Sequence, residues 1–129
     1  MAGELILIVE DNRINLKLIR DILQFKGYTI IEADTGEAGV DLARERQPAL
    51  ILMDVQLPGM DGREAMKVLK AEEGTRQIPI IALTAFAMKG DRTRLLAEGF
   101  DGYLSKPIDI KEVPKVVESY LGGNPQKQE

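Results

Sequence analysis

LILMDVQLPGMDG, residues 50–62, is the stretch from which the fold can be read. Leu50 to Met53 are apolar without interruption, as in a strand covered on both faces of a sheet. Asp54 closes that strand, and Asp61-Gly62 introduces a helix carrying Ala65, Met66 and Leu69. To either side of it, Leu5 to Val9 and Ile80 to Leu83 have the same Ile/Val/Leu-rich character and read as further central parallel strands. Tyr28 to Ala33 mixes polar and apolar residues, and Gly102 to Ser105 is short and semi-polar, so both suit positions nearer the sheet edges.

Helical spacing fills the intervals. Ile14, Leu18, Ile22 and Phe25 recur at steps of four or three and predict the apolar face of a first helix that ends near Gly27. Thr35 caps a second helix running through Leu42 toward Arg46, and a fourth spans Lys89 to Glu98 with Gly99 as its stop. In the last helix Ile110, Val113, Val117, Tyr120 and Leu121 share a face, and Asp109 with Glu112 has capping-box spacing. Pro114 sits about one turn inside that helix, which predicts either a later start or a local bend. Residues 122–129 are rich in Gly, Pro, Gln and Lys and read as a frayed tail or the stub of a linker.

Strands alternating with helices specify an α/β domain, because parallel neighbours need right-handed crossovers that place helices on both faces. The prediction is a doubly wound parallel sheet of five strands with five helices. Ligands of such sheets bind outside the carboxyl ends of the strands, where the strand order reverses.

Composition narrows the chemistry. The 129 residues and 14.3 kDa fit one domain, placed at 1–121 ahead of the tail. With 17 Lys+Arg against 21 Asp+Glu the formal charge is -4 and the pI about 5.0, so neither nucleic acid nor a membrane surface is an expected direct partner. Zero Cys and zero His exclude disulfides, thiolate metal sites, zinc enzymes and Ser-His or Cys-His hydrolases. No apolar run approaches the roughly 20 residues of a membrane span, and no secretory signal opens the chain, which predicts a cytoplasmic location.

The residues at the carboxyl ends of the strands are therefore decisive. Glu10 and Asp11 come directly after the first, Asp54 closes the third, Thr84 follows the fourth and Lys106 follows the fifth, while the second contributes nothing comparable. Singly, each reads as a cap, a turn or a solvated side chain. Together, three carboxylates on one edge repel one another unless a positive charge sits among them, which predicts a metal ion. Oxygen ligands select a hard ion, Mg²⁺, with Mn²⁺ as a substitute. Asp11 and Asp54 would hold it, with Glu10 nearby and a backbone carbonyl after Asp54, at Gln56, as a further ligand. Such an ion neutralises phosphoryl oxygens, so the site reads as a phosphoryl acceptor. A carboxylate oxygen of Asp54 attacks phosphorus in line to give an aspartyl phosphate; Lys106 pairs with one phosphoryl oxygen, Thr84 hydrogen-bonds another, and the Ala85 N–H binds a third. Carboxylates are ionised at neutral pH, so the chemistry needs no histidine base. The Lys106-Pro107 bond imposes an extended or turned backbone, cis or trans.

These segments, ILIVEDN at 6–12, LILMDVQLPGMDG at 50–62, IIALTA at 80–85 and YLSKP at 103–107, resemble those of response-regulator receiver domains, over roughly residues 4 to 121. Within that family VEDNRINLKL at 9–18 and TAFAMKGD at 84–91 are similar to the single-domain DivK type. The resemblance implies a CheY-like, flavodoxin-like sheet of strand order 2-1-3-4-5. It further implies a phosphoryl group passed to Asp54 from a histidine kinase or histidine phosphotransfer protein, with Glu10 and Asp11 as the acid pair for Mg²⁺. It assigns Lys106 to the phosphate, and Thr84 and Tyr103 to a switch that alters the surface of the fourth helix, fifth strand and fifth helix. No output domain is apparent, so the signal would pass to a downstream protein, from a monomer or a phosphorylation-dependent dimer. The chain would not be an enzyme beyond self-phosphorylation from a donor and slow autodephosphorylation.

Some positions depart from common receiver patterns. The acid pair is Glu-Asp where many members have Asp-Asp. Gln56, two beyond the acceptor, and Phe86, two beyond Thr84, occupy positions that border the phosphoryl group, and a bulky Phe86 would obstruct attacking water. The start of the fourth helix, with Gly90 in its first turns, is a candidate moving part, and Met88 with Tyr103 and the last helix would offer a partly apolar surface. A haloacid-dehalogenase-like phosphatase would need a second acid where Gln56 stands, and a nucleotide or flavin binder would need a Gly-rich loop where Glu10-Asp11 stands. The remaining alternative is a receiver-fold interaction module not regulated by phosphorylation.

Overall fold

Ten elements alternate along the chain: β1 (Leu5–Val9), α1 (Arg13–Phe25), β2 (Thr29–Ala33), α2 (Gly36–Arg46), β3 (Leu50–Asp54), α3 (Gly62–Ala71), β4 (Ile80–Thr84), α4 (Lys89–Glu98), β5 (Gly102–Ser105) and α5 (Glu112–Leu121). They come from a computed structural model that describes residues 3–85 and 89–121. The tail predicted at 122–129 lies outside the described residues. All strand pairs are parallel, in the order β2-β1-β3-β4-β5. The strand order reverses between β1 and β3, so the crevice of this sheet opens at their carboxyl ends.

The uninterrupted apolar runs have the predicted cause. β3 and β4 are buried at every position, and alternate residues supply opposite faces of the sheet. Leu7, Val9, Ile51, Met53, Ile80 and Ala82 pack with Val40 of α2, Leu69 of α3 and Leu95 of α4. Ile6, Ile8, Leu50, Leu52, Ile81 and Leu83 pack with Ile19 and Leu23 of α1 and with Val113 and Val117 of α5. Local signals set the helix ends. The Asn12 side chain accepts from the Asn15 N–H, Thr35 accepts from Ala38, and Asp61 with Glu64 forms a reciprocal capping box. Gly99 ends α4 at φ 129°, a conformation L side chains rarely adopt. The Lys106-Pro107 peptide is cis.

Two helix readings need correction. The stripe Ile14, Leu18, Ile22, Phe25 is not the buried face of α1: Ile14 is 78% and Phe25 88% exposed. The buried residues are Ile19 and Leu23, with Leu16 and Ile22 packed beside them. Both sets fit a helical period equally well, and the placement of the sheet decides between them. In α5, Asp109 does not cap the helix; its side chain accepts from the Lys111 N–H, and its carbonyl accepts from Glu112 and Val113. α5 therefore begins at Glu112, and Pro114 falls in its first turn, where a backbone N–H has no intrahelical partner to lose. Ile110 precedes the helix and is 59% exposed.

Single truncations in α1 separate the two faces. Leu23→Ala should cost about 2–5 kcal/mol, while Phe25→Ala should stay within about 0.5 kcal/mol, both read from urea denaturation midpoints. Equal costs at the two positions would return Phe25 to the core.

Candidate functional site

The sheet register builds the site. Val9 lies beside Met53, so the residues that leave β1 and end β3 emerge side by side. Glu10 continues the strand line by donating its N–H to the Ala33 carbonyl at 3.0 Å. Asp54 is the last residue of β3, and α3 starts directly against its backbone. A Cβ added at Gly62 would lie 2.1 Å from the Asp54 carbonyl oxygen, so only glycine permits this approach.

Glu10 and Asp54 are buried, at 0% and 3% exposure, and Asp11 is exposed. One carboxylate oxygen from each of the three lies within 4.8 Å of the others. Asp11 and Glu10 also line a cleft of about 570 Å³ between α1, β2 and α2. The Lys106 ammonium reaches into the cluster from the end of β5, donating to Asp54 Oδ2 at 2.8 Å and lying 3.1 Å from Glu10 Oε1 and 3.3 Å from Oε2. Backbone N–H groups complete the cradle: Gln56 donates to Asp54 Oδ1 at 2.9 Å and Asn12 to Glu10 Oε2 at 3.1 Å. Burial, reinforced by the neighbouring Asp54 carboxylate, pushes the Glu10 carboxyl up to about 7. Burial alone would lower the Lys106 ammonium, but its hydrogen bond and charge interaction with Asp54, then Glu10, outweigh it and leave the group above its ordinary value.

The charges do not balance. Lys106 supplies one positive charge to three carboxyl groups, and buried Glu10 Oε1, although ion-paired with the ammonium, accepts no hydrogen bond from the described residues. That excess of negative charge and the all-oxygen donor set fit a hard divalent ion.

The structure thus brings together Glu10, Asp11, Asp54 and Lys106, with Gln56 adjoining through its backbone. Thr84 ends β4, is buried, and accepts the Lys106 N–H on its carbonyl at 2.8 Å; the exposed Ala85 comes next. Tyr103 lies on β5. It pairs with Ala82, and strand alternation puts its half-buried ring on the sheet face that Ala82 shares with Thr84. Phe86 and Met88 lie outside the described residues. Two contributors escape a sequence reading centred on side-chain chemistry. Asn12, a good cap residue directly before a helical pattern, supplies an N–H to Glu10; Gly62, directly after the capping Asp61, supplies clearance for the Asp54 backbone.

The response regulator receiver domain family matches residues 6–118. The polar-differentiation response regulator DivK of Brucella ovis is 50% identical over 117 residues, covering 91% of this chain and 95% of that protein. Among solved structures, the receiver domain of sensor histidine kinase PA1611 from Pseudomonas aeruginosa PAO1 is 39% identical with a TM-score of 0.86, covering 94% of this chain and 99% of that one. It carries a magnesium ion coordinated in its active-site cleft. The response regulator Rcp1, in an Mn²⁺-bound form, is 27% identical with a TM-score of 0.73, covering 93% of each chain.

Glu10 gives the site a pH signature. In divalent-free buffer the folded chain retains, between about 4.5 and about 7, a proton that the unfolded chain releases, so stability should fall as pH rises through that window and level off above it. The groups facing this carboxyl are Asp54, Asp11 and Lys106. Thermal midpoints measured across the window should show the slope in the wild type and lose it in Glu10→Gln; the same slope in both would mean that another group holds the proton.

Proposed function

The chain belongs to the response-regulator receiver family and is a two-component receiver, and on that footing we propose that Asp54 is its phosphoryl acceptor. The observation that carries the reading is the buried Asp54 carboxylate hydrogen-bonded by Lys106, with Glu10 and Asp11 beside it. The donor is a histidine kinase or a histidine phosphotransfer protein. An Asp54 oxygen forms the new bond to phosphorus as the P–N bond of the donor imidazole breaks, and the electron pair leaves with the ring.

Glu10, Asp11, Asp54 and the Gln56 carbonyl would hold Mg²⁺, for which Mn²⁺ substitutes, and the ion supplies positive charge to the phosphoryl oxygens. Lys106, already in contact with the acceptor, takes one phosphoryl oxygen, and the Thr84 hydroxyl and Ala85 N–H take others. Engagement of the Thr84 hydroxyl draws it inward, and Tyr103 moves toward the vacated space, changing the surface of α4, β5 and α5. Slow hydrolysis at the same site resets the chain, so its chemistry is self-phosphorylation and autodephosphorylation rather than turnover of a separate substrate.

The receiver unit occupies 1–121 and works in the cytoplasm through a downstream protein, without direct contact to nucleic acid or membrane, as a monomer or a phosphorylation-dependent dimer. The pI of about 5.0 supports the first of these exclusions. No helix among the described residues is long and apolar enough to cross a membrane.

Acetyl phosphate with Mg²⁺ should add about 80 Da to the wild type by intact-protein mass spectrometry and nothing to Asp54→Asn. An unmodified wild type would favour the interaction module instead. Lys106→Ala should slow phosphorylation by about 10- to 100-fold, because a charge-assisted hydrogen bond to the transferring group is lost. Wild-type kinetics in that variant would remove Lys106 from this role.

A further inference from the structure

α4 is the most lightly anchored helix: of its described side chains only Leu95 is buried, whereas α2 and α3 bury four residues each. Contacts of α4 with other elements supplement that one. Arg63 of α3 donates its Nε–H to Glu98 Oε1 at 2.7 Å, and the Arg92 guanidinium carbon sits 5.4 Å from the centroid of the Tyr103 ring. The second distance is within the range of a cation–π interaction. Tyr103 belongs to the sheet face that carries Thr84, and its strand neighbour Ala82 presents only a methyl group. No bulky neighbour on β4 therefore separates the ring from Thr84 along that face.

We propose that Arg92 is a positioning residue: its guanidinium, stacked on Tyr103, clasps the ring to α4 in the unphosphorylated chain and raises the phosphodonor level needed to turn the switch. The inference rests on Tyr103 being a switch residue, as proposed above. A contact present in only one of two states favours that state by its own strength. At this partly exposed site a cation–π pair amounts to about a 2- to 5-fold bias. The clasp also ties to β5 a helix that has one buried side chain among those described, so moving the ring would loosen the same helix. Lysine at position 92 would keep the cation and lose the planar stack, so it should act in part; glutamine would lose both.

The test uses the whole chain labelled with 3-fluorotyrosine, the Tyr103 resonance being identified as the one missing from Tyr103→Phe. Fluorine spectra and the phosphorylated fraction are followed during acetyl phosphate titration with Mg²⁺. In Arg92→Gln the unphosphorylated resonance should already lie toward its phosphorylated position, and half-saturation should need about 2- to 5-fold less donor. Arg92→Lys should fall between this variant and the wild type. If the wild-type resonance moves on phosphorylation while Arg92→Gln matches the wild type in both readouts, the clasp is overturned and the switch stands. If Asp54 takes the phosphoryl group while the wild-type resonance stays still, Tyr103 is not a switch, and the clasp falls with it.

Discussion

Carboxylates forced together at the mouth of a parallel sheet are the constraint that shapes the rest of this molecule. Glu10 and Asp54 are buried beside each other, and Lys106 is the one ammonium hydrogen-bonded to both among the described residues. Like charges in so small a space hold a proton or share a cation. The raised proton affinity of Glu10 is the first response, and the all-oxygen cluster of Glu10, Asp11 and Asp54 suits the second. Lys106 keeps the arrangement foldable in the meantime, which is why its ammonium stays charged despite burial.

Much of this is legible in the amino-acid sequence. Runs such as Leu50 to Met53 have one stable environment, the interior of a parallel sheet, and so their strand character is visible in composition. Placing the acids and Lys106 at strand ends then suffices to predict that they meet, because all strands of such a sheet end on the same side. The face of α1 is not legible. Ile14 and Phe25 satisfy the helical period as well as Ile19 and Leu23 do, and only the position of the sheet and α5 separates the solvated set from the buried one.

The start of α5 is half legible. Pro114 signals a displaced beginning, but the Asp109 turn that displaces it depends on local backbone geometry. The proton held by Glu10 and the stacking of Arg92 on Tyr103 leave no trace in the sequence, since both depend on distances between groups from different elements.

The sheet being parallel throughout has an electrostatic effect beyond assembling side chains. Each crossover helix sets out from the edge where a strand ends, so the helices begin near the acidic rim and run away from it. The aligned peptide dipoles of a helix place about half a positive charge at its first turn. The rim therefore carries a background of positive potential made of backbone alone, which no chelator strips and no change of pH neutralises. An incoming anion meets that background whether or not the titratable groups are in their working state.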